Sequence, residues 1–216
     1  MSNKRLVVMM LGGARRVSVA ELLQKSGRRL GYDVEIVSYE LTREVPIALV
    51  GKVVVGLRWS DPEVVDDIER VVEENGVNVI LPFVDGAIEI ASVLRTRLPK
   101  VFVPVSDFEV TSAMFDKVEA AKVFKEAGIH IPTTYSVISA EMPAIAKPRR
   151  GSASRGIKVF HNIDDLMHLE NLQDYLVQEY IEHNIEYTVD SYVGEDGQIL
   201  VCLLYTSPSP RDSTSS

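Results

Sequence analysis

The chain lacks several features that would point to particular classes of protein. It has a single cysteine, Cys202, among 216 residues, so no internal disulfide can form, which fits a reducing compartment. It has no excess of basic residues, because 23 Lys and Arg stand against 31 Asp and Glu and the net charge is −8. A sequence-independent nucleic-acid binder needs such an excess, so we expect no nucleic-acid partner.

Long apolar runs are missing as well. The apolar stretch near the N-terminus, residues 6–11, ends at Gly12 and is followed by Arg15 and Arg16, which does not fit a secretory signal. No stretch approaches the length of a membrane span. We therefore expect a cytoplasmic protein without a membrane partner.

Residues 1–105 have the pattern of an α/β domain. Apolar runs predict strands, and the stretches between them predict helices, one of which begins at residues 60–63 with Ser60 or Asp61 as its cap. This alternation favours a Rossmann-like, doubly wound parallel sheet. The predicted strands are 5–11, 34–37, 53–55, 77–81 and 101–103, and the predicted helices are 17–30, 60–75 and 86–97.

The pattern changes to hairpins after a linker predicted at 106–115, so residues 116–204 are predicted to form a partial α+β domain. Residues 205–216 are predicted to be a disordered tail, since they are low in complexity. Because residues 203–213 look like a translated sequencing adapter, we expect this tail to be non-native and the chain to be truncated. The predicted helices are 115–127 and 163–170, and the predicted strands are 134–137, a strand ending at Lys147, 157–160, 175–180, 186–193 and 198–204.

The hairpin at 143–160 is the most informative segment. An apolar strand delivers Lys147, and the loop Gly-Ser-Ala-Ser-Arg-Gly over 151–156 precedes the second strand. Small residues let the backbone approach a ligand, and their N–H groups suit phosphate oxygens. Lys147, Arg149, Arg150 and Arg155 place four cations around the loop. The pattern predicts a lid over a nucleotide triphosphate, although its spacing is not that of a Walker loop and a solvated turn is the alternative.

Four motifs follow one another in order: Asp116-Lys117 opening a helix, residues 128–132, the lysine hairpin, and residues 176–181 followed by Glu186. This order resembles the ATP-grasp superfamily, in particular the branch with the carbamoyl-phosphate synthase large subunit and carboxylate–amine ligases. The similarity covers roughly residues 1–200, and residues 1–105 are similar to the domain that precedes the ATP-grasp fold. No internal repeat is visible, which argues against that large subunit itself, since it carries two copies of the unit.

The resemblance implies ATP as the ligand and a site built from matched positions. Lys117 and Lys147 match residues that contact the phosphates, and residues 151–156 match the loop that folds over them. Residues 178–181 match the hinge strand that meets the adenine, with Glu179 and the backbone of Ile181 at the adenine edge, and Glu186 matches the carboxylate that holds the ribose. The expected ATP-binding residues are Lys117, Lys147, Gly151, Ser152, Ser154, Arg155, Gly156, Gln178, Glu179, Tyr180, Ile181 and Glu186.

The residue chemistry agrees with these roles but leaves alternatives open. An ammonium group acts as a point charge on phosphate oxygens, and a carboxylate accepts two hydrogen bonds from vicinal hydroxyls. The alternative is that Glu179 and Glu186 are surface acids on two strands. For Lys117, the alternative is a solvated lysine in the first turn of a helix.

The resemblance also implies Mg²⁺, which neutralises charge during phosphoryl transfer. ATP-grasp enzymes place the ligands beyond the hinge, and after Glu186 this sequence has only Glu195 and Asp196 in a turn. We therefore expect the ligands in a missing C-terminal part and expect the chain as given to be inactive. No catalytic residue is identified.

The leading hypothesis is a parent enzyme that activates a carboxylate as an acyl phosphate for attack by an amine or a similar nucleophile. Its partners would be a small carboxylate and an amine, with a homodimer left open. The first alternative is a non-catalytic nucleotide-binding or interaction module. The second is an NAD(P)-linked oxidoreductase that uses Gly12-Gly13, but this motif lacks a third glycine and has no clear ribose-binding acid unless Glu35 or Glu40 serves.

Overall fold

The computed structural model describes residues 4–151, 154–182, 187–194 and 196–204. The chain divides into two compact units, of which the first comprises residues 1–131 and 147–156 and the second comprises residues 132–146 and 157–216. The predicted fold class, a parallel α/β sheet followed by a partial α+β domain, is confirmed. The predicted domain boundaries stay a prediction, and the predicted tail at 205–216 lies outside the described residues.

A four-stranded parallel sheet organises the first unit, in the order β3-β2-β1-β4. The residues of β1 from Val7 to Leu11 are at most 2% exposed, because a parallel sheet is covered on both faces. This burial explains why β1 reads as a continuous apolar run. The strands are β1 Lys4–Leu11, β2 Tyr32–Glu40, β3 Lys52–Val55 and β4 Val79–Pro82.

The fifth strand predicted at 101–103 is wrong, because only one residue of it pairs with the sheet. Phe102 forms an isolated parallel bridge to Val79, and the N–H of Phe102 donates to the carbonyl oxygen of Asn78 at 2.8 Å. Pro99 and Pro104 flank this segment, and a proline offers no N–H with which a sheet could continue. The pairing therefore stops after a single residue.

Five helices belong to the described part of the first unit, and those at 17–29, 64–75 and 85–97 contribute buried residues to the two clusters that cover the sheet. Alternation along β1 sends Val7, Met9 and Leu11 into one buried cluster and Val8 and Met10 into another. The helices are α1 Val17–Arg29, α2 Val64–Asn75, α3 Asp85–Arg97, α4 Phe108–Phe115 and α5 Lys117–Glu126.

Two predicted helix boundaries differ from the structure. Helix α2 starts at Val64 rather than at 60–63, because the carboxylate of Asp61 accepts a hydrogen bond from the N–H of Glu63 at 2.9 Å and holds a turn there. The predicted helix at 115–127 is interrupted, since Asp116 has extended backbone angles and separates α4 from α5. Helix α4 therefore occupies most of the segment predicted as a linker.

The second unit contains small antiparallel sheets and one short helix. The order β6-β5-β7 forms one sheet, with Ala144 opposite Phe160, and β8 pairs with β9. The strand predicted at 134–137 is wrong, since Thr134 makes an isolated bridge to Gln178 and a 3₁₀ turn follows. The elements are β5 Ala144–Pro148, whose last two residues belong to the first unit, β6 Lys158–Phe160, α6 Ile163–Met167, β7 Tyr175–Glu179, β8 Thr188–Val193 and β9 Ile199–Leu204.

Candidate functional site

Asp116 caps the N-terminus of α5 and also binds an arginine of the lysine hairpin. Its Oδ1 accepts from the N–H of Val118 at 2.9 Å, which satisfies one of the free donors at the helix start. The guanidinium of Arg149 donates to the same carboxylate, with Nε at 3.0 Å and Nη2 at 2.7 Å from Oδ2. Asp116 is only 8% exposed, and the contact from Arg149 lowers the pKa of this carboxyl.

Lys117 is attached to the hairpin at two points. Its backbone N–H donates to the carbonyl oxygen of Arg149 at 2.9 Å, and its Nζ donates to the carbonyl oxygen of Gly151 at 2.8 Å. The alternative of a purely solvated lysine therefore does not describe this side chain. The structure brings Lys117 to the first residue of the predicted phosphate loop.

Lys147 lies near the end of β5 and is half-buried. Burial lowers the pKa of its ammonium group, and the charge of Lys117 lowers that pKa further. The backbone of Lys117 is also bonded to the carbonyl oxygen of Arg149, which follows Lys147 by two residues. Lys117, Lys147 and Gly151, three of the twelve expected binding residues, are thus brought together within the first unit.

Two of the four cations predicted around the loop have carboxylate partners. Arg149 binds Asp116 and lies 3.5 Å from Oε1 of Glu119, and Arg150 lies 3.5 Å from Oε1 of Glu89. Part of their positive charge is therefore compensated within the chain. Arg155 is exposed in the turn at 154–156. The contact of these cations with a phosphate stays a prediction.

The loop requires glycine at its two ends. Gly151 and Gly156 have φ of 109° and 74°, a region that side chains with a Cβ rarely adopt, and Ser154 also has a positive φ of 56°. A Cβ on Gly156 would lie 3.0 Å from Cγ of Pro148. This geometry fits the predicted close approach of the backbone to a ligand. Ser152, another expected binding residue, lies outside the described residues.

The predicted hinge strand is β7, in the second unit. Gln178 is 5% exposed, and its Nε2 donates to Oγ1 of Thr134 at 3.3 Å. The N–H of Glu179 donates to the carbonyl oxygen of Thr133 at 2.9 Å, and its Oε1 accepts from the N–H of Thr133 at 2.8 Å. The carboxylate of Glu179 thus fixes the backbone beside β7, a role that sequence reasoning missed.

The chain beyond β7 carries the remaining expected residues. The N–H of Tyr180 donates to the carbonyl oxygen of Pro143 at 3.1 Å, and Ile181 is 50% exposed. Glu186, the predicted ribose carboxylate, lies outside the described residues. The adenine and ribose roles of residues 178–186 stay predictions.

Glu40, the last residue of β2, places its carboxylate beside the turn that follows β1. This residue is 8% exposed, its Oε1 accepts a hydrogen bond from Oγ of Ser38 at 2.6 Å, and it lies near the backbone N–H groups of Gly13 and Ala14. Burial raises the pKa of this carboxyl group. Because an acidic side chain already lies beside these N–H groups, the turn does not offer the phosphate site that a dinucleotide needs. This geometry weighs against the oxidoreductase alternative.

Metal-ligand clusters and membrane-spanning helices are both missing from the described part of the chain. Within these ranges, no group of three or more His, Cys, Asp or Glu side chains is arranged to hold a metal ion. The residues present therefore give no ligand set for the Mg²⁺ that the resemblance implies. Across the same part of the chain, every helix is too short or too polar to cross a membrane.

We expect Asp116→Asn to lower the free energy of unfolding by about 1–2 kcal/mol at pH 7, because the amide keeps a cap acceptor but loses the charge that binds Arg149. This loss in the free energy of unfolding is small for a charged contact, because the Arg149 side chain is 37% exposed and water screens the ion pair. The folded pKa of Asp116 is lowered, so its contribution is present above the unfolded pKa and is lost as the pH falls through the folded value.

Urea unfolding of both proteins at pH 7 and at several values below pH 4 measures this difference. Asp164→Asn is the matched control, since Asp164 is exposed in the first turn of α6, and we expect a change within about 0.5 kcal/mol. A difference for Asp116→Asn that stays constant down to the lowest pH would contradict the ion pair.

Solved structures of other proteins share this fold at low sequence identity. N5-carboxyaminoimidazole synthetase from Staphylococcus aureus, solved with ADP, has a TM-score of 0.70 at 16% identity, over 96% of this chain and 56% of that chain. An L-amino acid ligase from Bacillus licheniformis has a TM-score of 0.66 at 14% identity, over 97% and 52%. The biotin carboxylase domain of 2-oxoglutarate carboxylase from Hydrogenobacter thermophilus has a TM-score of 0.65 at 15% identity, over 90% and 48%.

The ATP-grasp domain family matches residues 114–205, a range that begins just before Asp116 and includes the lysine hairpin and β7. The resemblance to the ATP-grasp superfamily predicted from the sequence is therefore confirmed. No curated protein matches the sequence. The chain spans about half the length of the solved structures named above.

Proposed function

We propose that this chain is the ATP-binding portion of an ATP-dependent ligase that activates a small carboxylate. The observation that carries the proposal is the grouping of Lys117 and Lys147 with the glycine-ended loop. The match of residues 114–205 to the ATP-grasp domain supports it.

The two lysines suit a polyphosphate. The charge of Lys117 and the half-burial of Lys147 both lower the pKa of the Lys147 ammonium group, so each makes the charged form less favourable. The triphosphate of ATP would offset both costs by bringing negative charge to both lysines. The loop backbone at 151–156 would supply N–H donors to the same oxygens.

The adenosine end is assigned to the segment from Gln178 to Ile181 and to Glu186. The two hydrogen bonds between Glu179 and Thr133 hold the end of β7 in one conformation, which is what a hinge needs before its backbone can read an adenine edge. Gln178 is fixed by Thr134 in the same way. Glu186 would accept the ribose hydroxyls.

The proposed reaction is transfer of the γ-phosphoryl group to a carboxylate, followed by displacement of phosphate by an amine or a similar nucleophile. Two proteins that share the fold, an N5-carboxyaminoimidazole synthetase solved with ADP and an L-amino acid ligase, motivate this choice. In this chain, Lys117 and Lys147 would bind and orient the triphosphate and stabilise its charge. Mg²⁺ would neutralise further charge, but the described residues give it no ligands, and no step is assigned to it.

Binding of a non-hydrolysable ATP analogue tests the nucleotide site. We expect Lys147→Ala to weaken binding by about 10- to 100-fold, because one charge-assisted contact contributes about 1.5–3 kcal/mol. Isothermal titration of the whole chain measures the affinity. Adenosine, which has no phosphates, should bind both proteins equally.

Lys100→Ala is the matched control, because Lys100 is an exposed lysine of the same unit. Its affinity for the analogue should equal that of the unaltered chain. Equal affinities of the unaltered chain and Lys147→Ala, or no binding by either, would contradict the proposal. Binding without carboxylate-dependent release of ADP, measured on a protein that extends the chain to the length of the solved relatives, would favour the non-catalytic module.

A further inference from the structure

We propose that Asp116 and Arg149 are positioning residues that hold Lys117 and Lys147 together as a single phosphate-binding pair. The inference rests on the proposed function and adds to it the residues that position the two proposed phosphate-binding lysines. Neither residue belongs to the set predicted to touch ATP. Their role is to fix the two lysines that do.

The geometry of the contact between Asp116 and Arg149 supports this positioning role. Arg149 approaches Asp116 with two nitrogen atoms, at 3.0 Å from Nε and 2.7 Å from Nη2 to Oδ2, and Nε also lies 3.1 Å from Oδ1. A planar guanidinium that donates in this way fixes orientation as well as distance. The carboxylate is 8% exposed, so water competes little for it.

The positions of Asp116 and Arg149 in the chain, next to the two lysines, also support this role. Asp116 directly precedes Lys117, and Arg149 follows Lys147 by two residues, so the ion pair joins the two segments within one or two residues of each lysine. The N–H of Lys117 also donates to the carbonyl oxygen of Arg149 at 2.9 Å. Movement of either segment therefore requires the loss of these contacts.

The lysine pair benefits from such a restraint. The charge of Lys117 lowers the pKa of Lys147, so the two ammonium groups repel each other. The contact between the Asp116 carboxylate and the Arg149 guanidinium opposes the separation. A pair held ready in this way binds its ligand without the cost of ordering two long side chains and two segments.

The test uses the whole chain and two variants that keep similar size. Arg149→Lys keeps a positive charge but loses the planar fork, and Asp116→Asn keeps a helix cap but loses the charge. We expect both variants to bind inorganic tripolyphosphate about tenfold more weakly, while their affinity for adenosine is unchanged. Arg150→Lys is the matched control, because Arg150 is the neighbouring hairpin arginine and pairs with Glu89 instead.

A second readout does not depend on nucleotide binding. The side-chain resonances of ¹⁵N-labelled lysine, followed against pH, report the pKa of Lys147, and we expect it to rise in both variants as Lys117 moves away. Circular dichroism confirms that each variant is folded. An unchanged Lys147 titration in both folded variants would overturn the inference. A raised Lys147 pKa in a chain that fails to bind tripolyphosphate would support the positioning role and contradict the proposed ATP site.

Discussion

Replacement of Gly56 by alanine should lower the free energy of unfolding by at least about 3 kcal/mol, because the new methyl group has no space. An ideal Cβ at this position would lie 1.9 Å from Cζ of Tyr39, 2.2 Å from its Cε2 and 2.4 Å from its hydroxyl oxygen. Real Cβ atoms do not approach other heavy atoms so closely. Either the ring or the strand end must move.

The ring of Tyr39 cannot move without losing other contacts. It is fully buried, its hydroxyl donates to Oδ2 of Asp67 at 2.6 Å, and the same hydroxyl accepts from the N–H of Leu57 at 2.7 Å. The ring also packs against Trp59, with 5.8 Å between ring centroids. Overpacking costs about 1–3 kcal/mol, and each buried group left without its partner adds about 1–3 kcal/mol.

Urea unfolding followed by circular dichroism measures the loss. Gly128→Ala is the control, because a Cβ there meets no atom within 4 Å and only the positive φ of 72° has to be accommodated, at about 1–2 kcal/mol. If Gly56→Ala lost no more stability than Gly128→Ala, the packing of Tyr39 against residue 56 would be wrong.

Leu166→Ala should cost about 3 kcal/mol of stability in the second unit. Leu166 is fully buried, and its cluster is small, with two alanines, Ala144 and Ala146, among its five buried members. Small neighbours cannot move in to fill the space that the leucine side chain leaves. The loss therefore includes both the transfer of apolar surface and the remaining cavity.

Hydrogen exchange of the amides of β5 and β7, together with urea unfolding, checks this expectation. The neighbouring residue Met167 gives the control, since it is 59% exposed and Met167→Ala should change stability by about 0.5 kcal/mol or less. Similar losses for the two substitutions would contradict the placement of Leu166 at the centre of this cluster.

Sequence reasoning was most successful where one local pattern decides the structure. The apolar run of β1 could be interpreted without knowledge of its neighbours, because a buried parallel strand is apolar on both faces. The stop of α2 at Gly76 was equally local, since Gly76 adopts a φ of 63°. The lysine hairpin was predicted for the same reason, from small residues between two apolar strands.

The errors concern contacts between residues far apart in the sequence. The four predicted loop cations ignored Asp116 and Glu89, which lie 33 and 61 residues before the arginines that bind them. The single helix predicted at 115–127 ignored the second role of Asp116, which leaves the helical conformation to cap α5 and receive Arg149. An aspartate followed by a lysine was a visible signal for a cap, but its arginine partner could be found only in three dimensions.

The buried carboxylate of Glu40 has a consequence for the first sheet. The turn after β1 faces a carboxylate that the chain itself supplies, which accepts a hydrogen bond from the Ser38 hydroxyl and lies near two backbone N–H groups. An incoming phosphate would have to expel this side chain and find room for it elsewhere. The position that most often receives a nucleotide in proteins of this topology is therefore filled from within.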